Sequence, residues 1–151
     1  MRASELYLDA SALAALFVDF DSHHTTVAET IGTAGAGLLI SDFGALEFVS
    51  ALSRLIRTKN LQLDEARVLE AKLEAWIASD TEFTRLEPRD IQRAKDCLSR
   101  FDMPLRAPDA LHLAVTVRTG ATLLTFDRRL AGCARTLGVK VFDAVGPVAG
   151  A

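Results

Sequence analysis

Long apolar runs are missing from this chain of 151 residues. None approaches the ~18 residues that cross a bilayer, so no membrane-spanning helix is expected. Glu5 and Asp9 interrupt the first hydrophobic segment, so a secretory leader is not expected either. Cysteine is scarce: Cys97 and Cys133 are the only two, without metal-ligand spacing, and each falls in a helical apolar pattern. That pattern predicts two buried thiols in a reduced, cytoplasmic compartment. Charge of one sign is lacking as well. A net charge of −3 gives no bulk attraction for nucleic acid, so a bound polyanion would need a local basic patch or a metal. The glycines of GTAGAG do not form the phosphate loop G-x-G-x-x-G, and they precede a strand instead of following one. They read as a helix stop and turn.

Half of the residues are hydrophobic and a quarter charged, as in an ordinary globular domain. The most informative stretch is LRAPDALHLAVTVRTGATLLTFDRRL, from Leu105 to Leu130. Pro108 suits a first helical turn, where its missing N–H costs nothing. A nearly all-apolar helix follows, and Gly120 ends it. Thr122 to Phe126 reads as a buried strand, with Asp127 at its end.

The rest of the chain follows the same rhythm. Strands are expected at Glu5–Leu8, Gly37–Ser41, Glu82–Pro88 and Val139–Phe142. Helices are expected from Ser11 to Phe17, from about Ser22, from Asp42 to Lys59, from Leu63 to Asp80, from Pro88 to Phe101 and after Asp127. Ser41 or Asp42 caps the third of these. Ala45, Phe48, Val49, Leu52, Leu55 and Ile56 line its apolar face. Alternating strands and helices imply one α/β domain, a parallel sheet with helices on both faces. Residues 1–145 form that domain and 146–151 a loose C-terminal tail.

Acidic residues fall at suggestive places. Asp9 ends the first strand, Asp127 ends the fourth, and Asp109 opens the helix between the third and fourth. In a parallel sheet these positions share one edge, where ligands bind. Taken singly, each Asp is explained as a helix cap. Glu47 has no cation three or four residues away to make a surface ion pair. Several carboxylates crowded together resist ionising together, and a hard divalent cation removes the conflict. Oxygen-only ligands suit Mg²⁺ or Mn²⁺, which can activate water and clamp a phosphodiester.

The segments YLDASALAALF, SDFGALEFVSAL, LRAPDALHLAV and LLTFDRRLA, in this order, resemble the PIN-domain ribonucleases, particularly VapC-type toxins of toxin–antitoxin pairs. The resemblance implies a sheet of order 3-2-1-4-5 and a Mg²⁺- or Mn²⁺-dependent endoribonuclease. In that reading Asp9, Glu47, Asp109 and Asp127 form the catalytic, metal-holding site, with Ser11 and Thr125 as supporting hydroxyls. Many relatives carry another acid soon after the Asp127 position; here Arg128, Arg129 and Leu130 follow. The resemblance also implies a VapB-type antitoxin whose tail enters the acidic cleft, and a homodimer through the helices from Asp42 to Asp80. That helix pair carries surplus apolar surface, including Phe43, Leu46 and Trp76.

Arg128 and Arg129, flanking Asp127, have the best claim to an RNA phosphate. Arg54, with Arg57 and Lys59, makes a basic helix end that would steer phosphates. His23 and His24, near Asp19 and Asp21, read as a solvated loop. His112 reads as a packed or hydrogen-bonded histidine. It stands alone in the expected cleft, so attack by the RNA's own 2′-hydroxyl lacks an acid–base pair. The expected products therefore carry 5′-phosphate and 3′-hydroxyl ends. A receiver or dehalogenase-like phosphotransfer site fits poorly, since position 11 is Ser and Lys140 falls inside a strand. The alternative kept is a PIN-like module that binds RNA or protein without cutting.

Overall fold

A computed structural model of the protein describes residues 5–79 and 81–142. The expected tail at 146–151 lies outside the described residues. The first half runs β1 (Leu6–Leu8), α1 (Ala10–Phe17), α2 (His24–Ala34), β2 (Leu38–Ser41), α3 (Asp42–Arg57) and α4 (Leu63–Ser79). The second runs β3 (Glu82–Thr84), α5 (Pro88–Leu98), α6 (Ala107–Thr119), β4 (Thr122–Leu124) and α7 (Arg128–Thr136).

The strands form one parallel sheet in the order β3-β2-β1-β4. Side-chain alternation along each strand divides the core in two. Leu6, Leu8, Ile40 and Leu124 face a cluster completed by α1, α3 and α4, including Leu13, Phe48, Leu52 and Leu73. Tyr7, Leu39 and Leu123 face the opposite side, where Leu113 and Val115 of α6 and Leu130 and Ala134 of α7 cover them. Helices therefore lie on both faces, as the alternating pattern predicts.

A fifth strand at Val139–Phe142 does not form among the described residues. It is reduced to a single parallel bridge between Leu123 and Val141, on the outer side of β4. The reason is the length of β4. Leu123 alone turns its N–H and C=O outward, to the Lys140 carbonyl and the Phe142 amide. Thr122 and Leu124 bond inward, to Glu5 and Asp9. The order 3-2-1-4 thus stands, with the last segment in the fifth position but without a ladder.

Smaller expectations also shift. Cys133 is buried, whereas Cys97 is half-buried. Val49, assigned to the apolar face of α3, is 38% exposed, while Phe48 and Leu52 are buried. Trp76 packs edge-on against Phe17 at 5.5 Å between centroids, as part of the core rim. The apparent helix stops behave as read: Gly35 and Gly120 end α2 and α6 at φ +59° and +72°, a region that favours glycine.

Candidate active site

From β1 the chain moves outward through β2 to β3, then returns to place β4 on the other side of β1. The carboxyl ends of β1 and β4 therefore border a switch point, where open parallel sheets bind ligands. An open cleft of ≈ 550 Å³ lies at this edge. Asp9, Ser11, Glu47, Asp109 and Asp127 all line it, from β1–α1, α3, α6 and the β4–α7 junction.

Asp9 is the floor. It is 3% exposed and caps α1, accepting from the Ala12 amide at 2.9 Å through Oδ1. The Ser11 hydroxyl donates to the same oxygen at 2.7 Å, and the buried Thr125 hydroxyl donates to Oδ2 at 2.5 Å. Burial nevertheless holds the Asp9 carboxyl above its ordinary range. An imidazolium at His112, when that ring is protonated on both nitrogens, and the bonds from Thr125, Ser11 and Ala12 offset that only in part. Thr125 Oγ1 also accepts from the Asp127 amide at 3.0 Å, and Ser11 Oγ from the Phe126 amide at 3.0 Å. The two hydroxyls thereby lock the turn after β4 against the turn after β1.

Asp109 and Asp127 are caps as well as cleft residues. Asp109 Oδ2 accepts from the backbone amide and Nε of Arg106, at 3.2 and 3.4 Å. Asp127 Oδ1 accepts from the Arg129 and Leu130 amides at 2.9 and 3.2 Å. In both residues one oxygen makes these bonds and the other makes none of them.

Glu47 finds its partner across the cleft, in the Nε2 of buried His112. The other ring nitrogen, Nδ1, meets the Tyr7 hydroxyl at 2.7 Å, and that hydroxyl meets Ser41 Oγ at 2.7 Å. Phe43 and Tyr7 flank the imidazole, with centroids 5.1 and 5.7 Å away. The expectation of a packed, hydrogen-bonded His112 agrees with this, but sequence reasoning missed its pairing with Glu47 and the parts of Tyr7 and Ser41. One signal was available: Tyr7 is the only tyrosine, set in the middle of an apolar strand, and a buried phenol needs a partner for its hydroxyl.

Arginines rim the acids. Arg54, Arg57 and Arg106 line the cleft, whereas Arg128 and Arg129 are exposed and stand outside its lining. His23 stacks on Phe126 at 4.6 Å, and His24 Nδ1 meets the Ala15 carbonyl at 2.8 Å. Neither joins a metal cluster among the described residues.

The donor chemistry suits a hard cation. Four carboxylates face one cleft, and the buried Asp9 resists charging unless a positive charge is near. Asp9, Glu47, Asp109 and Asp127 would be the holders. Among the described residues, however, no three His, Cys, Asp or Glu side chains are grouped tightly enough to share one ion.

The sequence matches the PIN domain family over residues 6–135. The chain belongs to the PIN-domain family. No curated protein matches it. Its PIN fold is similar to the crystal structure of VapC20 from Mycobacterium tuberculosis, described as a Sarcin-Ricin loop cleaving toxin. That likeness has a TM-score of 0.69 and 19% identity, over 84% of this chain and 93% of that one. FitAcB from Neisseria gonorrhoeae aligns with TM-score 0.69 and 16% identity, over 92% and 97% of the two chains. VapBC2 from Rickettsia felis, bound to a DNA fragment from its promoter, gives 0.65 and 13%, over 91% and 97%. At such identities the likeness is one of fold, and the chemistry of this PIN domain rests on its own residues. No helix among the described residues is long and apolar enough to cross a membrane.

Proposed function

We propose that this PIN domain is a divalent-metal-dependent endoribonuclease, the toxin of a VapBC-type pair. It would leave 5′-phosphate and 3′-hydroxyl ends and be silenced by a VapB-type antitoxin. The observation that carries the proposal is the meeting of Asp9, Glu47, Asp109 and Asp127 in one cleft rimmed by arginines. Family membership and toxin–antitoxin structures among the fold relatives support it.

Mg²⁺ or Mn²⁺, when bound, supplies charge for the leaving oxygen and a water acidified enough to attack phosphorus. The chain supplies the remainder. Asp9 is fixed by Ala12, Ser11 and Thr125, so its carboxylate needs no reorganisation when it takes up a positive charge. Asp109 and Asp127 are held rigidly by the helices they cap. Arg54, Arg57 and Arg106 would receive flanking phosphates as the strand enters. Unpaired RNA suits an open cleft, since side chains cannot easily read the deep groove of paired RNA. The test is cleavage of single-stranded and looped RNA with Mn²⁺, its suppression by EDTA and its recovery on adding excess metal.

The lack of three grouped donors favours a second reading, a silent module that binds without cutting. That module would neither bind Mn²⁺ nor cleave.

A further inference from the structure

One hydroxyl chain explains how Glu47 is held. The Gly44 amide donates to Ser41 Oγ at 2.9 Å, the N-cap bond of α3. Ser41 is buried, and among the described residues Tyr7 Oη, 2.7 Å away, is the one acceptor its hydroxyl hydrogen has, so Ser41 donates to Tyr7. Tyr7 has one hydrogen, and its remaining neighbour is His112 Nδ1 at 2.7 Å. Tyr7 and Ser41 are fully buried and His112 is 3% exposed, so water does not compete for these bonds. A phenol keeps its hydrogen at neutral pH, so Tyr7 is the donor to that nitrogen. A ring that accepts at Nδ1 must donate from Nε2.

We propose that His112 is a positioning residue for Glu47: the Gly44–Ser41–Tyr7 chain sets its Nε2–H tautomer, and that N–H holds one Glu47 oxygen at the cleft wall. The inference rests on the metal-dependent reading, because the purpose of the hold is to leave the other Glu47 oxygen for a cation. Outer partners that orient a ligating side chain typically change metal affinity about 10–100-fold when removed. The hold also draws α6 and α3 together across the cleft.

Two measurements test it. Nitrogen-15 NMR of the metal-free protein, labelled at histidine, should find the His112 hydrogen on Nε2, with that preference lost in Tyr7→Phe. Mn²⁺ titration by calorimetry should find His112→Ala about 10–100-fold weaker than the parent chain. His112→Gln, whose amide also donates toward Glu47, should stay within a few-fold of it. A hydrogen on Nδ1 overturns the inference. So does His112→Ala binding like the parent, or His112→Gln as weak as His112→Ala. A parent chain that binds no Mn²⁺ contradicts the proposed function, and the nitrogen assignment, made without metal, then decides the role of His112 by itself.

Discussion

The Thr125 hydroxyl donates to Asp9 Oδ2 across 116 positions of sequence, joining the ends of β1 and β4 at the switch point. Thr125 Oγ1 also accepts from the Asp127 amide, so one buried side chain fixes two of the four acids. Thr125→Val keeps the shape and removes these bonds. It leaves a buried carboxylate oxygen and a backbone amide unpaired, at a cost of about 1–3 kcal/mol. Denaturant unfolding should show that loss, together with a fall in cleavage rate.

Asp9→Asn should abolish cleavage and reveal the desolvation of Asp9. The folded pKa lies above the ordinary ~3.9. The fold therefore favours the protonated acid, and the parent chain loses stability relative to Asp9→Asn as pH rises through that raised value. Below the ordinary carboxylate range the difference levels off. Thermal melts in EDTA from acid to neutral pH should show the variant gaining on the parent. A reversed difference would show that the hydrogen bonds outweigh burial, and a constant one that they cancel it.

Capping and catalysis separate at Asp127. Asp127→Ala removes the acceptor for the Arg129 and Leu130 amides and should cost about 0.5–2 kcal/mol, whereas Asp127→Asn keeps a cap. Both should be inactive. An active, stable Asp127→Asn would reduce this residue to a cap.

How far these roles were visible beforehand depended on distance along the chain. Asp9, Asp109 and Asp127 stand out because strand ends and first helical turns are local patterns, and the sheet edge that joins them follows from parallel topology. Cap and site looked like competing readings of each Asp, yet each carboxylate has two oxygens, and the caps of Asp109 and Asp127 occupy one. Glu47 has no partner within its own helix; its partner His112 sits 65 positions away and reaches it through packing of α6. The fifth strand failed for a reason that composition does not show. A three-residue β4 has one residue whose backbone faces outward.

The rim arginines should act on binding. Arg54→Ala should raise KM with little change in kcat and reduce the salt slope of RNA binding by about one. Arg129→Ala, outside the cleft lining, should do less. Filter binding across a salt series would rank them, and an equal or larger effect at Arg129 would move the RNA path to α7.

The homodimer expected through α3 and α4 has candidates for its contact. Leu46 and Leu63 are 65% and 53% exposed, and with Val49 they leave apolar surface on the helix pair. Sedimentation at tens of micromolar, roughly the moderate-affinity range, should find a dimer that Leu46→Glu dissociates. A monomeric parent chain would contradict it.

The central claim is tested most directly by mapping the ends of RNA cut by the purified chain. Cleavage that requires Mg²⁺ or Mn²⁺, disappears in Asp9→Asn and leaves 5′-phosphate and 3′-hydroxyl ends is the predicted result. A 2′,3′-cyclic phosphate, or cutting that survives excess EDTA, would contradict it.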